Sequence, residues 1–230
     1  MALIPFAEHK LIPPGSNDPR IKARIGILHV DAGNAYDLYE YFAERSGGIE
    51  SHGHIAKDGH LFQYRDTDWQ ADANHLANDF AISFETQGYG EGEWTDEQLA
   101  TIKRVMLWAK KAHGIPLRVV TRWDDPVGGW GYHTLFGAPS PWTPVAKSCP
   151  GPDRKTQFHD VLVPWMSEPQ EDEVTPQDIE KIADAVVERL TPVIKAEVKF
   201  QFRDVFPKDG LDLSVREAIR ELVNESRKAR

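Results

Sequence analysis

The segment 94–116, WTDEQLATIKRVMLWAKKAHGIP, restricts the fold more than any other part of this chain. Thr95 and, three residues later, Gln98 form a capping box, which is typical of the start of a helix. Apolar residues then recur at helical spacing until a glycine and a proline end the pattern, namely Leu99, Ile102, Met106 and Ala109 before Gly114 and Pro116. The segment therefore predicts an amphipathic helix.

Short β-prone runs lie on both sides of that helix. They are GILHV (26–30), two runs within SHGHIAKDGHLFQYRD (51–66), FAISFET (80–86) and RVVT (118–121). The two runs in the middle flank Lys57-Asp58-Gly59, which predicts a β-hairpin. Residues 35–45 place Leu38, Tyr41 and Phe42 on one face of a second helix. The pattern predicts an α/β fold, with a single mixed β-sheet flanked by helices.

The composition changes after residue 166. The run SEPQEDEVTPQ is rich in acidic residues, proline and glutamine, which predicts an acidic linker over 167–174. Residues 175–230 predict a small, mostly helical tail in the order helix, strand, helix. Because so short a segment has few apolar residues, we expect it to dock on the main domain or self-associate. The stripe from Ile179 to Leu190 predicts self-association.

Composition and charge exclude several classes of function. The chain has 230 residues, 40% of them hydrophobic, and a net charge of −9 without a basic cluster, which argues against nucleic-acid binding. We find no apolar run long enough to span a membrane and no signal peptide, so we expect no membrane insertion. A single cysteine excludes an internal disulfide and favours synthesis in a reducing cytosol.

His29, His133 and Cys149 are each weak candidates for a metal ligand, and a structural role is the alternative for His29. His29 ends a predicted strand, whereas His133 in GWGYHT and Cys149 in KSCPG lie in segments that predict loops rich in glycine and proline. Zinc prefers such nitrogen and sulfur ligands, and a catalytic zinc needs three of them. The HExxH pattern is absent, so any site must be assembled from distant parts of the chain.

Other interpretations of these residues stay open at this point. His52 and His54 are two apart on a predicted strand, so they point to the same side and form a rival chelating pair, although such pairs on hairpins are more often partly exposed. Cys149 and His133 also fit a nucleophile with its base, if the cation of Lys147 stabilises the thiolate.

Residues around these candidates fit a catalytic groove. Glu85 ends the apolar run FAISFET, which suits either a solvated strand end or a general base beside a metal. Three tryptophans and a polar run fit either core packing or the lining of a groove, and these are Trp123, Trp130, Trp142 and the run from Asp72 to Asn78.

Taken together, five segments resemble a known family. They are ILHVDAG, GGIESHGHIAKDGHLFQYRDT, ADANHLANDFAISFETQG, GYHT and KSCPGPDRKTQF, in the family's order over roughly residues 20–165. The chain resembles the zinc-dependent N-acetylmuramoyl-L-alanine amidases of the type 2 amidase and peptidoglycan recognition protein superfamily, in particular phage endolysins from phages of actinobacteria. The resemblance implies a catalytic domain over residues 1–166. For a lytic enzyme of this kind, wall binding is a further expected role of the tail over 175–230, beside oligomerisation.

The resemblance also implies roles for the candidate residues. His29, His133 and Cys149 would bind one Zn²⁺, Glu85 would be the catalytic base, and Lys147 would stabilise the developing oxyanion. Some phage members use a tyrosine just before the histidine of the first hairpin strand, where this chain has Ser51 before His52. That departure favours Glu85 as the base.

The implied activity is hydrolysis of the amide between N-acetylmuramic acid and L-alanine of the peptidoglycan stem. We expect an endolysin that is made in the host cytoplasm and acts at the bacterial cell wall after the membrane is permeabilised. A bacterial autolysin or a muropeptide-recycling amidase is the alternative within the same chemistry. A non-catalytic peptidoglycan-binding module is the alternative outside it.

Overall fold

The computed structural model describes residues 1–15, 18–44 and 49–168. The predicted linker over 167–174, apart from its first two residues, lies outside the described residues. So do the predicted tail over 175–230 and its self-association stripe. Within the described ranges, no helix has the length and hydropathy needed to cross a membrane.

One mixed sheet of six strands forms the centre of the protein, in the order β1-β4-β3-β5-β2-β6. The strands are β1 (Glu8–His9), β2 (Ile25–Leu28), β3 (Gly53–Ile55), β4 (Leu61–Gln63), β5 (Ala81–Thr86) and β6 (Gly129–Tyr132). Only β3 and β4 pair antiparallel, because they form the predicted hairpin, and the other neighbours pair parallel. The predicted α/β class with a single mixed sheet is confirmed.

The helices pack around this sheet. They are α1 (Tyr39–Ala43), α2 (Asp96–His113), α3 (Pro152–Gln157) and α4 (Val163–Ser167), with one π-helical turn (Phe158–Leu162) between the last two. Helix α2 begins with both halves of the predicted capping box and ends at Gly114, whose φ is 74°. Ile102 and Met106 on its apolar face are fully buried, and each such side chain contributes roughly 1.5–3 kcal/mol to folding.

Residues 118–132 differ from the sequence prediction. Residues 118–121, predicted as a strand, make only a single bridge from Val119 to Trp130. The segment 129–132, predicted as part of a loop, is strand β6. Glycines weaken strand propensity. Here, however, Gly26 on β2 leaves room for the ring of Trp130, because a β-carbon on Gly26 would lie 2.2 Å from that ring. Packing between strands therefore outweighs local propensity.

Helix α1 also departs from the prediction in one residue. Phe42 is buried as expected, but Tyr41 is 48% exposed and does not share the buried face. The helix has only five residues, so a single turn leaves Tyr41 at the surface beside an open groove.

The register of the central strands brings three polar residues to one edge of the sheet. Leu28 of β2 lies opposite Phe84 of β5 on one side and opposite Tyr132 of β6 on the other. Because these strands run parallel, the residues that follow them meet at the same edge, where ligands typically bind in such sheets. Those residues are His29, Glu85 and His133.

Candidate metal centre

His29 and His133 lie side by side at this edge. Their ring centroids are 4.2 Å apart and the rings are tilted by 46°. Both side chains are buried, with 2% and 3% of their surface exposed. Two adjacent parallel strands hold them, so their separation is set by the sheet and not by a loop.

Each of the two rings binds a protein oxygen through Nε2. His29 Nε2 lies 2.8 Å from Oδ1 of Asn74, and His133 Nε2 lies 3.0 Å from the carbonyl oxygen of Trp142. Because both acceptors are oxygens, each Nε2 carries the proton and each Nδ1 keeps a free lone pair. Among the described residues, His133 Nδ1 has no hydrogen-bond partner. This is the arrangement that a metal-binding histidine requires.

Burial keeps the two imidazoles neutral. It lowers the pKa of His29 well below its usual value, and the repulsion that protonated His29 would meet from protonated His133 lowers that pKa further. Burial, followed by the nearby charge of Lys147, lowers the pKa of His133 to about 4. Neutral imidazole is the form that coordinates metals.

Cys149 completes a group of three possible ligands. Its Sγ and one ring nitrogen of each histidine all lie within 4.8 Å of one another. Two further contacts fix the cysteine, since the Val30 amide donates to Sγ at 3.3 Å and the Thr134 hydroxyl donates to the Cys149 carbonyl at 2.6 Å. Two nitrogens and one sulfur are the donor types that zinc prefers.

The same surroundings argue against a nucleophilic cysteine. Burial, with the charge of Glu85 adding to it, raises the pKa of the Cys149 thiol to about 12. A reactive cysteine needs a lowered pKa and a stabilised thiolate. The geometry therefore favours Cys149 as a ligand over Cys149 as a nucleophile.

Glu85 lies beside the three possible ligands. Its Oε1 is 3.7 Å from Nδ1 of His29 and accepts a hydrogen bond of 3.2 Å from the Ser51 hydroxyl. Its Oε2 is buried and has no hydrogen-bond partner among the described residues. Burial, and after it the charge of Asp31, raises the pKa of Glu85 to about 7, which suits a group that exchanges protons near neutral pH.

Two grooves meet at this centre. The larger, of about 660 Å³, contains the three possible ligands and Glu85 and extends past Leu38, Tyr41 and Ile49. The smaller, of about 290 Å³, runs between the polar run from Asp72 to Asn78 and the segment from Trp142 to Lys147. His133 and the exposed Lys147 line both grooves, so a ligand that occupies both must pass over the centre.

A family comparison gives this arrangement its context. A family model described as N-acetylmuramoyl-L-alanine amidase matches residues 19–152, which is more than half of the chain. The chain belongs to this amidase family.

Solved structures with the amidase fold are similar to the described part of this chain. The N-acetylmuramoyl-L-alanine amidase LysC from Clostridium intestinale is 15% identical with a TM-score of 0.50, and the match covers 68% of this chain and 98% of that one. Peptidoglycan recognition protein SD from Drosophila is 12% identical with a TM-score of 0.50, covering 67% and 94%. At such identities the likeness shows the fold alone. No curated protein matches the chain by sequence.

His52 and His54, the alternative pair of metal ligands in this amidase-family chain, contact other residues inside the fold. His52 is fully buried, donates from Nε2 to the Trp69 carbonyl at 2.9 Å and accepts the Ser83 amide at Nδ1. His54 is also fully buried, with Nε2 3.3 Å from Oδ2 of Asp31. The expectation that they are partly exposed is wrong, and neither belongs to the group of possible ligands.

The three tryptophans divide between the core and the grooves of this amidase-family chain, and Trp142 lines the smaller groove. Trp130 and Trp142 are fully buried, and Trp123 packs partly buried against the core. Core packing is therefore the correct interpretation of Trp130, and Trp142 acts through its carbonyl on His133. The polar run from Asp72 to Asn78 does line a groove, as expected.

Sequence reasoning missed the contacts by which two residues hold the group of possible ligands, although Asn74 lies in the polar run from Asp72 to Asn78 that it singled out. Asn74 orients His29, and the buried Arg154 contacts the loop that carries Cys149. Neither has a local sequence pattern that marks it, because each acts on a residue from a different segment of the chain.

Proposed function

We propose that this protein is a zinc-dependent peptidoglycan amidase, which hydrolyses the amide between N-acetylmuramic acid and L-alanine of the stem peptide. The observation that carries the proposal is the convergence of His29, His133 and Cys149 with Glu85 on the wall of one groove. Family membership supports the same reaction.

The donor atoms fit a zinc ion. Both histidines direct Nε2 to protein oxygens and leave Nδ1 free, and Cys149 supplies the sulfur. We assign His29, His133 and Cys149 as the metal ligands. When bound, zinc supplies a Lewis acid that polarises the scissile carbonyl and activates water at neutral pH.

Glu85 is the proposed general base and acid. Ser51 donates to one of its oxygens, and the other is buried without a hydrogen-bond partner in the described part of the chain. The carboxylate takes a proton from the attacking water and returns it to the leaving nitrogen of L-alanine. Such a positioned group typically contributes about 10²- to 10⁴-fold to the rate.

Lys147 is the proposed electrostatic partner of the carbonyl oxygen. It lines both grooves where they meet, and its positive charge lowers the pKa of both histidines. As negative charge develops on the oxygen, the ammonium stabilises it, and losing one such donor costs roughly 10²- to 10³-fold in rate.

The biological role we propose is that of a phage endolysin. The protein would be made in the host cytoplasm and reach the peptidoglycan of the wall once the membrane is permeabilised. This role rests on the resemblance of the five sequence segments to phage enzymes. An autolysin or a recycling amidase would use the same chemistry on the same bond.

Digestion of purified cell wall by the full chain tests the reaction, with and without a chelator. New N-terminal alanine that disappears with chelator and returns with Zn²⁺ is the expected result. New reducing sugar ends would instead indicate cleavage of the glycan. Wall binding without any new end group would indicate a recognition module and contradict the proposal.

A further inference from the structure

Arg154 of helix α3 is a charged residue in the protein interior. Only 2% of its surface is exposed. Burying a guanidinium is costly unless its N–H groups find acceptors, so its contacts indicate what it stabilises. Nη1 donates to the carbonyl oxygen of Tyr89 at 2.7 Å and to that of Pro150 at 3.3 Å.

These two carbonyls belong to the loop that contains Cys149 and to the loop that follows strand β5. Pro150 directly follows Cys149, the proposed sulfur ligand. Tyr89 lies in the loop after β5, the strand that contains Glu85. One buried side chain therefore joins the backbone next to the third ligand to the backbone that follows the proposed base.

The close approach of Arg154 requires a glycine at position 88. A β-carbon on Gly88 would lie 2.2 Å from Nη2 of Arg154, well inside any allowed contact. The Gly88 amide also donates to Oδ1 of Asp31 at 3.0 Å, which fixes this loop from its other side. The guanidinium therefore fits between the two loops only because residue 88 has no side chain.

Loss of the guanidinium would leave both carbonyls without this donor. Cys149 would keep the Val30 amide at its sulfur and the Thr134 hydroxyl at its carbonyl. Those contacts hold Cys149 to the strand side, but neither ties it to the loop after β5. The position of the sulfur relative to the two histidines then becomes less fixed.

We propose that Arg154 is a positioning residue for the metal centre, which holds Cys149 in place by tying the Pro150 carbonyl to the loop after β5. This inference rests on the proposed metal centre. It assigns Arg154 no contact with substrate, so its effect is expected on metal binding and through that on activity.

Titration of the metal-free full chain with Co²⁺ tests the proposal, because a cobalt–thiolate bond gives its own absorption band. Arg154→Met keeps the length of the stem and removes the donors. We expect its Co²⁺ affinity to fall about 10- to 100-fold, as is typical when an outer-shell partner of a metal ligand is lost, with a weaker thiolate band.

Arg118→Met is the control for the loss of an arginine contact with a loop. Arg118 also donates to a loop carbonyl, that of Gly128 at 2.6 Å, but lies in a different loop from Cys149. It should lower the melting temperature of the metal-free protein while the Co²⁺ affinity and the thiolate band stay unchanged. Equal losses of affinity in the two variants would reduce Arg154 to a general stability role and overturn the proposal.

A glycine pair tests the same contact if Arg154→Met fails to fold. Gly88→Ala places a methyl group against the guanidinium, whereas Gly92→Ala meets no atom within 4 Å, and both glycines have positive φ. We expect only Gly88→Ala to weaken Co²⁺ binding and its thiolate band. Unchanged binding in Gly88→Ala contradicts the proposal, and absence of Co²⁺ binding by the wild type overturns the metal centre itself.

Discussion

Asn74 accepts a hydrogen bond from His29 across 45 residues of sequence, at 2.8 Å and fully buried. The Trp142 carbonyl makes the equivalent contact with His133. These two acceptors select the same tautomer in both rings, with the proton on Nε2 and the lone pair on Nδ1. Protein contacts therefore set the orientation of both histidines, which would lower the cost of binding a metal there.

Substitution of Asn74 tests this orientation. Asn74→Leu removes the acceptor and should weaken zinc affinity by about 10- to 100-fold, because the His29 ring loses its fixed tautomer. Asn74→Asp keeps an oxygen acceptor at the same place and should retain most of the affinity. Competition with a chromogenic chelator measures both. Equal affinities of Asn74→Leu and wild type would show that the hydrogen bond does not orient the ligand.

Substitution of Cys149 tests the ligand assignment against the nucleophile alternative. Cys149→Ser should lose more zinc affinity than the roughly 10- to 100-fold cost of an outer-shell change, because a proposed direct ligand is removed. Cys149→Asp should recover part of the affinity and activity, since carboxylates also bind zinc. Metal content and alanine release on cell wall are the measurements. An inactive Cys149→Asp that binds zinc as tightly as wild type would favour a nucleophilic cysteine.

Substitution of Glu85 separates binding from turnover. Glu85→Gln keeps the shape of the side chain but cannot take up a proton, so kcat should fall about 10²- to 10⁴-fold. The zinc content should stay at the wild-type level, since Glu85 is outside the proposed ligand group. Ser51→Ala removes the donor to Oε1 and should have a smaller effect on kcat. Wild-type kcat in Glu85→Gln would remove this residue from the mechanism.

Local patterns in the sequence predict the elements of this fold that depend on neighbouring residues. The capping box of α2 needs only Thr95 and Gln98, and the β3–β4 hairpin needs only the turn at Lys57 to Gly59. Strand β6 has no such pattern, because two of its four residues are glycines and its Trp130 packs against Gly26 of a different strand.

The candidate site also has some residues that the sequence suggests and some contacts that only the fold shows. Sequence alone offered His29, His133, Cys149 and Glu85 as separate weak candidates, and only resemblance to a family grouped them. Their convergence depends on the register of three parallel strands, which no short segment encodes. Asn74 and Arg154 act through contacts between different segments of the chain, and only the three-dimensional structure shows these contacts.

Asp125 gives a stability prediction that is independent of the metal centre. Its carboxylate is 3% exposed and accepts hydrogen bonds from the Thr121 amide and hydroxyl, the Val127 amide and Arg118, at 2.9–3.1 Å. Burial raises its pKa, but these hydrogen bonds outweigh burial and hold the pKa well below its usual value. The ionised carboxylate thus stabilises the loop before β6.

Asp125→Asn should lower the free energy of unfolding at pH 7 by about 1.5–3 kcal/mol, the range for hydrogen bonds to a charged group. Because the folded-state pKa is depressed, the stabilisation is complete above the unfolded-state pKa of about 4 and is lost as pH falls toward the folded-state value. The difference between wild type and variant should therefore shrink below pH 4, as measured by urea denaturation. Asp124→Asn is the control, since its partner Arg122 is 62% exposed and surface pairs contribute only about 0–1 kcal/mol. A wild-type-to-Asp125→Asn difference that stays constant down to pH 3 would show that the Asp125 charge does not stabilise the loop.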